Sequence, residues 1–421
     1  MIGWSIKKKN RCRLCGKSNL KKVLKYENSP IGDDYRKYAY SHKKYPIELY
    51  LCRNCGLTQL LHVINPKVLY TNYIYKTEHS PDLVKHFKNY TLDISQKLKL
   101  KRNKKILEVG SNDGVLLKEF RKRNHKVIGL DPAKKISHDA NNQKIKTYND
   151  FLNNKVTKKI LKNEGKFDLI ISNNVFANVE NINNWVKNIK ILLKEKGTYI
   201  IETYYLYKLL KNKVFDFIYH EHLNSFTIKA LQTLFKSHSM KIYNAEVIHT
   251  KGGSIRCYIT KDLNKKILKN VEKLINKEKK YEIFGEKRFK IFQNEINLLA
   301  NKTFDYLNKS KMSIKNIKIV GYGASISCTT LIYHFKIQKF LNLIVDDNKA
   351  KFNTFLPGSN IKVYSSKKVK DFQPNYIIIL AWRFQKTIIK KLKKMNLNKD
   401  TKIILPCPTF KVISLKKLNQ R

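Results

Sequence analysis

Short apolar runs of strand length alternate twice along this chain with segments of helix length, and that alternation restricts the fold more than any other feature. Lys105–Val109, Lys126–Leu130, Phe167–Ser172 and Gly197–Glu202 are such runs, separated by helical segments such as Leu116–Arg123. The pattern predicts a parallel, doubly wound sheet. A second series follows, in which Ile317–Val320, Leu341–Asp346 and Tyr376–Ala381 read as buried strands. Between the two, Lys261–Met312 is Lys/Glu-rich, free of proline and apolar at helical spacing, which predicts one or two connecting helices. Ahead of the first series, Leu83, Phe87, Tyr90, Leu92 and Ile94 suit an amphipathic helix within His79–Leu100. A length of 421 residues exceeds what one core organises, in keeping with two or three domains.

The first 75 or so residues have few helical patterns and carry two matching cysteine pairs, Cys12-x-x-Cys15-Gly16 and Cys52-x-x-Cys55-Gly56. Each glycine follows a second cysteine, where a tight turn benefits from positive φ, and four thiolates suit a tetrahedral structural Zn²⁺. The 36 residues between the pairs exceed the common spacing. Loop closure entropy grows only logarithmically with length, so the insert is tolerable. Cys257, Cys328 and Cys407 lie in or beside apolar runs and read as packing residues.

Ile106-Leu107-Glu108-Val109-Gly110-Ser111-Asn112-Asp113-Gly114 ends a strand, turns on glycine and enters a helix. At the carboxyl end of such a strand an open α/β sheet binds an adenosyl ligand. Asp131 ends the next strand, 21 residues after Gly110, where an acid holds ribose hydroxyls. A dinucleotide needs a third glycine and an unobstructed helix N-terminus. Here Ser111, Asn112 and Asp113 fill the turn, and Asp113 would repel phosphate. An acid in that place suits a sulfonium and an amino group, which makes S-adenosylmethionine the expected cofactor; Asn173 and Asn174, after Asp168-x-x-x-Ser172, complete the expected site.

A formal charge of +54 would by itself suggest a polyanion partner. Lys, Asn, Ile and Tyr are inflated together, however, and lysines such as Lys7–Lys9 and Lys393–Lys394 are spread over the whole chain. That is the profile of A+T-rich coding drift, so no specific nucleic acid is expected. No window approaches 18 consecutive apolar residues, and Met1 to Arg11 carries charge with no apolar signal core after it. The expectation is a cytoplasmic protein without a membrane span.

Taken in order, the motifs resemble the sugar C-methyltransferases that act on nucleotide-linked ketodeoxyhexoses. They are the two knuckles with Cys55-Gly56-Leu57-Thr58-Gln59, the Gly110–Gly114 loop, Tyr219-His220-Glu221-His222, Gly252-Gly253-Ser254-Ile255-Arg256, Gly321-Tyr322-Gly323-Ala324, Asp346-Asp347-Asn348 and Leu380-Ala381-Trp382. The resemblance implies an α/β chain with a zinc-binding module over 1–75, a Rossmann-like S-adenosylmethionine-dependent methyltransferase domain over 76–255, a helical connector over 256–312 and a second Rossmann-like domain over 313–421. The partner it implies is a nucleotide-linked ketosugar. Two positions depart from the family, Asn178 and Lys251, where histidine is common, and both bear on which sugar is bound.

Methylating carbon needs a carbanion equivalent, which a ketosugar supplies once a base removes the proton beside its carbonyl. Histidine has the right pKa for that task. By resemblance His222 is the base, Glu221 and Tyr219 its neighbours, and Tyr73 or Tyr75 the donor to the enolate oxygen. The expected substrate residues are Lys251, Gly252, Gly253, Ser254 and Arg256, with Gly321, Gly323, Ala324 and Asp346 on the nucleotide. His220-Glu221-His222 fails the H-E-x-x-H test for a metal, because Asn224 stands in the fifth position. The rival readings are O- or N-methylation of a nucleotide sugar, RNA methylation, and a non-catalytic polyanion binder. A second Rossmann-like unit argues against RNA, and an intact Gly110–Gly114 loop against loss of catalysis. The motifs specify neither the sugar nor an oligomeric state.

Overall fold

The computed structural model of the chain describes residues 6–41, 43–71, 73 and 75–416. Two compact units emerge, each assembled from separate stretches of sequence. Unit 1 comprises Met1–Lys21, Leu51–Tyr207 and Leu223–Phe284; unit 2 comprises Lys22–Tyr50, Lys208–His222 and Gly285–Arg421.

Unit 1 is built on seven strands: β1 (Lys105–Val109), β2 (Lys126–Leu130), β3 (Thr147–Tyr148), β4 (Phe167–Asn173), β5 (Leu193–Tyr204), β6 (Lys241–Ile248) and β7 (Ser254–Thr260). Their order is β3-β2-β1-β4-β5-β7-β6. The first five run parallel, and β7 enters antiparallel to both β5 and β6. The parallel strands read as nearly continuous apolar runs because helices cover both faces, and Ile106, Leu107, Leu169, Ile170 and Ile171 are all fully buried. Each such side chain contributes roughly 1.5–3 kcal/mol by leaving water.

The helix Pro81–Lys97 starts on proline and buries Phe87, Tyr90, Thr91 and Ile94 at helical spacing. Leu92, expected on that apolar face, is 48% exposed, since its position lies off the stripe drawn by 83, 87, 90 and 94. Helices Lys269–Lys280 and Glu286–Ser313 fill the expected connector, the first in unit 1 and the second in unit 2.

Unit 2 holds a six-stranded sheet of β8 (Ile319–Tyr322), β9 (Leu343–Asp346), β10 (Val363–Ser365), β11 (Tyr376–Ile379), β12 (Lys402–Leu405) and β13 (Lys411–Ser414). The order is β10-β9-β8-β11-β12-β13, parallel up to β12 with β13 reversed. The insert between the cysteine pairs packs on this sheet's helices. Tyr26 stands edge-on to Phe215 at 5.7 Å and lies 4.5 Å from His334, while Lys25 N–H donates to Gln293 Oε1 at 3.0 Å. The unusual cysteine spacing therefore houses a segment with work in the other unit, a grouping that four consecutive domains do not describe. Among the described residues no helix is long and apolar enough to cross a membrane.

Candidate functional site

The cysteine pairs converge within unit 1. Their four sulfurs lie within 4.8 Å of one another, with Cys12–Cys55 and Cys15–Cys52 both at 3.5 Å. Four thiolates about 2.3 Å from a zinc ion stand about 3.8 Å apart, so the quartet fits a closed tetrahedral site. The two knuckles repeat one set of bonds: Gly16 N–H to Cys12 O and Gly56 N–H to Cys52 O, both 2.9 Å, with φ of 72° and 75° at the glycines. A hydrogen bond with Cys55 draws the Cys12 thiol down to about 5, while burial pushes Cys15 up to about 11. Crowded thiols resist joint ionisation, and a divalent cation removes that conflict. Asn183, on the helix Ile182–Leu192, donates to Arg13 O at 2.7 Å and Leu14 O at 3.1 Å and so moors the knuckle to the large sheet's layer of helices.

Beyond the carboxyl ends of β1, β2 and β4 in unit 1 opens a cavity of about 460 Å³. Glu108, Gly110, Ser111, Asn112, Asp131, Asn173 and Asn174 line it, as the sequence suggested. Gly110 has φ 79°, and a Cβ there would come within 2.5 Å of a Val175 methyl, so no other residue fits the turn. Asp131 Oδ2 accepts from Asn112 N–H and Oδ1 from Ala133 N–H, both at 2.9 Å, which fixes the turn and the acid together. Burial raises the Asp131 carboxyl and, further, that of Glu108, which Asp113 and Asp131 raise again; Glu108 Oε2 is buried without a hydrogen-bond partner. Glu108 and Asp131 are the acids of this turn that line the cavity, whose wall also includes Asp150, Glu180, Lys67 and Lys251. Carboxyl and amide groups at this turn fit a ligand carrying sulfonium, ammonium and ribose hydroxyls, which Asp131, Glu108 and Asn112 would hold.

Asp113 and Gly114 do not line the cavity. Asn112 adopts φ 50°, which turns the next side chain away, and Asp113 Oδ2 instead accepts from Glu78 N–H at 2.8 Å. Asn112 Nδ2 donates to Tyr75 O and its Oδ1 accepts from Thr77 N–H, both at 2.9 Å. The middle of the glycine loop thus tethers the segment that bears Tyr73 and Tyr75, and both tyrosines line the cavity. Burial raises the Tyr75 hydroxyl, keeping it a proton donor.

Of the Gly252–Arg256 motif only its neighbour Lys251 reaches the cavity. Gly252 and Gly253 shape the turn into β7, where Gly253 O accepts from Tyr205 N–H at 3.2 Å, and Ser254 Oγ donates to Thr250 O. Arg256, expected to meet substrate, is 3% exposed and committed inward. Its Nε and Nη2 donate to Glu202 Oε2 at 2.9 and 2.8 Å and its Nη1 to Asp93 at 2.8 Å, with the guanidinium 4.1 Å over the Tyr90 ring. Two residues beyond Ser254 on β7, the Arg256 side chain lies on the sheet face that packs the helix Pro81–Lys97. Sequence reading missed Asp150, Phe151, Tyr70 and Trp185 in the cavity wall. Asp150 follows β3, which at two residues is too short to show alternation, although the carboxyl-end rule would have located it once β3 was recognised.

Tyr219, Glu221 and His222 belong to unit 2. His222 Nδ1 lies 2.7 Å from Phe217 O, and Nε2 lies 2.8 Å from the Tyr219 hydroxyl, whose ring stacks on the imidazole at 4.0 Å. Glu221 is buried, and that burial together with Asp33 pushes its carboxyl up to about 8 against the counteracting Lys351.

The second glycine turn is occupied by the chain itself. A Cβ on Gly323 would approach Ala381 Cβ to 2.7 Å, and Asp346 spends its oxygens on Ala324 N–H at 2.6 Å and Asn348 N–H at 2.7 Å. Over the start of the following helix, Ile326–His334, lies the insert: a Cβ on Gly32 would touch Ile326 at 2.6 Å, Thr329 Oγ1 donates to Gly32 O at 2.9 Å, and Lys351 pairs with Asp33. Gly323, Ala324 and Asp346 thus brace a turn of unit 2, and the insert packs on the helix that follows it.

A seven-stranded sheet of this order with a reversed seventh strand, and an acid-lined cavity at its glycine turn, define a methyltransferase that uses S-adenosylmethionine. Three families match along the chain: a zinc binding domain over residues 12–70, a methyltransferase domain over 78–242 and a C-methyltransferase C-terminal domain over 249–408. Among similar proteins, C-methyltransferase NovU of Streptomyces niveus is 27% identical over 96% of this chain and 97% of its own length. Ubiquinone biosynthesis O-methyltransferase of Pelagibacter ubique is 29% identical over 40% of this chain and 64% of its own. An S-adenosylmethionine-dependent methyltransferase structure from Clostridium acetobutylicum, 14% identical, covers 42% of this chain and 91% of its own with a TM-score of 0.34. The chain carries matches to a zinc-binding domain, a methyltransferase domain and a C-methyltransferase C-terminal domain in that order, and it is similar to a C-methyltransferase over almost its whole length. Its cofactors are S-adenosylmethionine and a structural zinc ion.

Proposed function

We propose that this enzyme methylates the carbon next to the carbonyl of a nucleotide-linked ketodeoxysugar, with His222 as the base that forms the enolate. The observation that carries the reading is the state of the imidazole. A backbone carbonyl can only accept, so the 2.7 Å contact to Phe217 O places the hydrogen on Nδ1 and leaves Nε2 the basic nitrogen. Nε2 accepts from the Tyr219 hydroxyl, a neutral donor that a substrate C–H can replace without stranding a charge. Glu221, raised to about 8, keeps its proton near neutral pH and does not compete as a base. When bound, S-adenosylmethionine supplies the electrophilic methyl group. Tyr73 and Tyr75 are the hydroxyls proposed for the enolate oxygen, and Lys251 the residue proposed to bear on the choice of sugar. The nucleotide-sugar class rests on the motif resemblance, and carbon as the methylated atom is supported by a relative named as a C-methyltransferase over almost the full length. A cytoplasmic setting is part of the proposal.

The test is a panel of nucleotide-ketosugars deuterated beside the carbonyl. Every methylated product should have lost its deuterium, and His222→Asn should lower turnover by about 10² to 10⁴ with S-adenosylmethionine affinity unchanged. Deuterium retained in the product overturns the enolate reading in favour of oxygen or nitrogen methylation.

A further inference from the structure

We infer that Arg383 is a positioning residue for His222, acting through Asp216 and Phe217, and that its substitution disturbs the proton on the imidazole before it disturbs the fold. The inference rests on the reading of His222 as the base. His222 sits at the end of Lys208–His222, a stretch of unit 2 in which the regular element preceding it is the single 3-10 turn Phe215–Phe217. Such a segment has few bonds of its own to define a side chain within the tolerance that proton transfer demands.

The bonds come from beyond β11. Asp216 is fully buried and accepts from Trp382 Nε1 at 3.1 Å, while Arg383 Nη1 reaches both of its oxygens at 2.7 Å. Arg383 Nη2 donates to Ser327 Oγ at 2.8 Å, and its Cζ lies 4.4 Å from the centroid of the Phe217 ring. One side chain therefore grips two successive residues, Asp216 by its carboxylate and Phe217 by its ring. Phe217 is the residue whose carbonyl takes the Nδ1 hydrogen of His222, and its ring lies 5.8 Å from the imidazole. A buried ion pair gives little net stability, because desolvation offsets most of the attraction. Its gain here is geometric: the guanidinium, held between Asp216 and Ser327, sets the Phe217 peptide, the peptide sets the tautomer, and the tautomer puts the lone pair on Nε2. Lysine carries the same charge on a single nitrogen, without the separate Nη1 and Nη2 donors that hold Asp216 and Ser327.

The full-length protein, wild type and as Arg383→Lys, Asp216→Asn and His222→Asn, would be compared by nitrogen NMR of the imidazole rings, with His222→Asn identifying the His222 signals. The wild type should show a protonated Nδ1 and an unprotonated Nε2, and both Arg383→Lys and Asp216→Asn should average the two nitrogens. On the nucleotide-ketosugar that turns over best, kcat should fall about 10- to 100-fold in these two variants, with KM and S-adenosylmethionine affinity within about two-fold. Ring signals and kcat that stay at wild-type values overturn the inference. So does a fall in kcat matched by an equal fall in cofactor affinity, which would mark a general structural role. If His222→Asn itself retains normal turnover, the base reading fails instead, and the ring signals of the other two variants still report whether the clamp sets the tautomer.

Discussion

The two glycine turns of this chain are built alike and end differently. In unit 1 Gly110 N–H donates to Leu130 O, and Asp131 binds two backbone N–H groups; in unit 2 Gly323 N–H donates to Val345 O, and Asp346 binds two as well. Each acid braces its turn. The difference is what meets the turn from outside. A cavity of about 460 Å³ faces the first, whereas residues 31–35 of the insert cover the helix that follows the second. A strand, glycine and acid in the right order are thus a structural device first, and become a ligand site only where the chain leaves the space empty.

The largest effect concerns a second contrast, that unit 1 carries a metal staple. One tightly held zinc per chain is expected, since binding to four thiolates is worth about 10 kcal/mol of folding free energy. Cys12→Ser should release the metal and unfold the knuckles, and elemental analysis of washed wild-type protein that shows no zinc would remove the staple from the comparison.

Next come the glycines. Gly110→Val places a side chain against Val175 in a turn with φ 79°. Calorimetry should show S-adenosylmethionine affinity reduced about 100-fold or more, near 3 kcal/mol, from strain and from closure of the cavity floor. Gly323→Ala should leave that affinity unchanged and lower the stability of unit 2 by about 1–3 kcal/mol. Loss of cofactor binding in the second variant would break the contrast between an open turn and a filled one.

Two buried glutamates separate the units by pH. Burial raises Glu278 of unit 1 to about 7, although Ile228 N–H at 2.6 Å and the Tyr205 hydroxyl at 2.7 Å donate to it, and raises Glu221 of unit 2 to about 8. A carboxyl whose folded pKa lies above its unfolded value binds its proton more tightly in the folded state. Its stabilising effect is complete below about pH 4.5 and is lost as pH rises through the folded value. For Glu278 this amounts to something on the order of 3 kcal/mol. Denaturant titrations from pH 4.5 to 8 should show wild type losing stability relative to Glu278→Gln up to about pH 7 and relative to Glu221→Gln up to about pH 8. Parallel curves for wild type and variants would mean that neither acid titrates in this range.

The smallest effect is the most direct test of the shared design. Asp131→Ala should weaken S-adenosylmethionine about tenfold, near 1.4 kcal/mol, and Asp346→Ala should not change it. Equal losses would show that the acid acts on the cofactor only through the turn it braces.

The sequence by itself determined the two alternating series, the cysteine quartet and the glycine-turn side of the cavity wall. Those features rest on local pattern: apolar runs become buried strands, cysteines two residues apart become knuckles, and a glycine turn with an acid one strand later lies at a carboxyl edge. Gly197–Glu202 was legible for this reason and grew only to Leu193–Tyr204, whereas the two residues of Thr147–Tyr148 had no period to detect and took Asp150 with them. Only the tertiary structure decided which turn stays open, because Gly32 and Ile326 are brought together across nearly three hundred residues by packing that no spacing encodes. Arg256 teaches the same lesson, as its partners Glu202 and Asp93 come from a neighbouring strand and a distant helix and engage all three of its side-chain nitrogens. A motif names the donors a side chain owns, and the fold decides whether they are spent within the chain or left for a ligand.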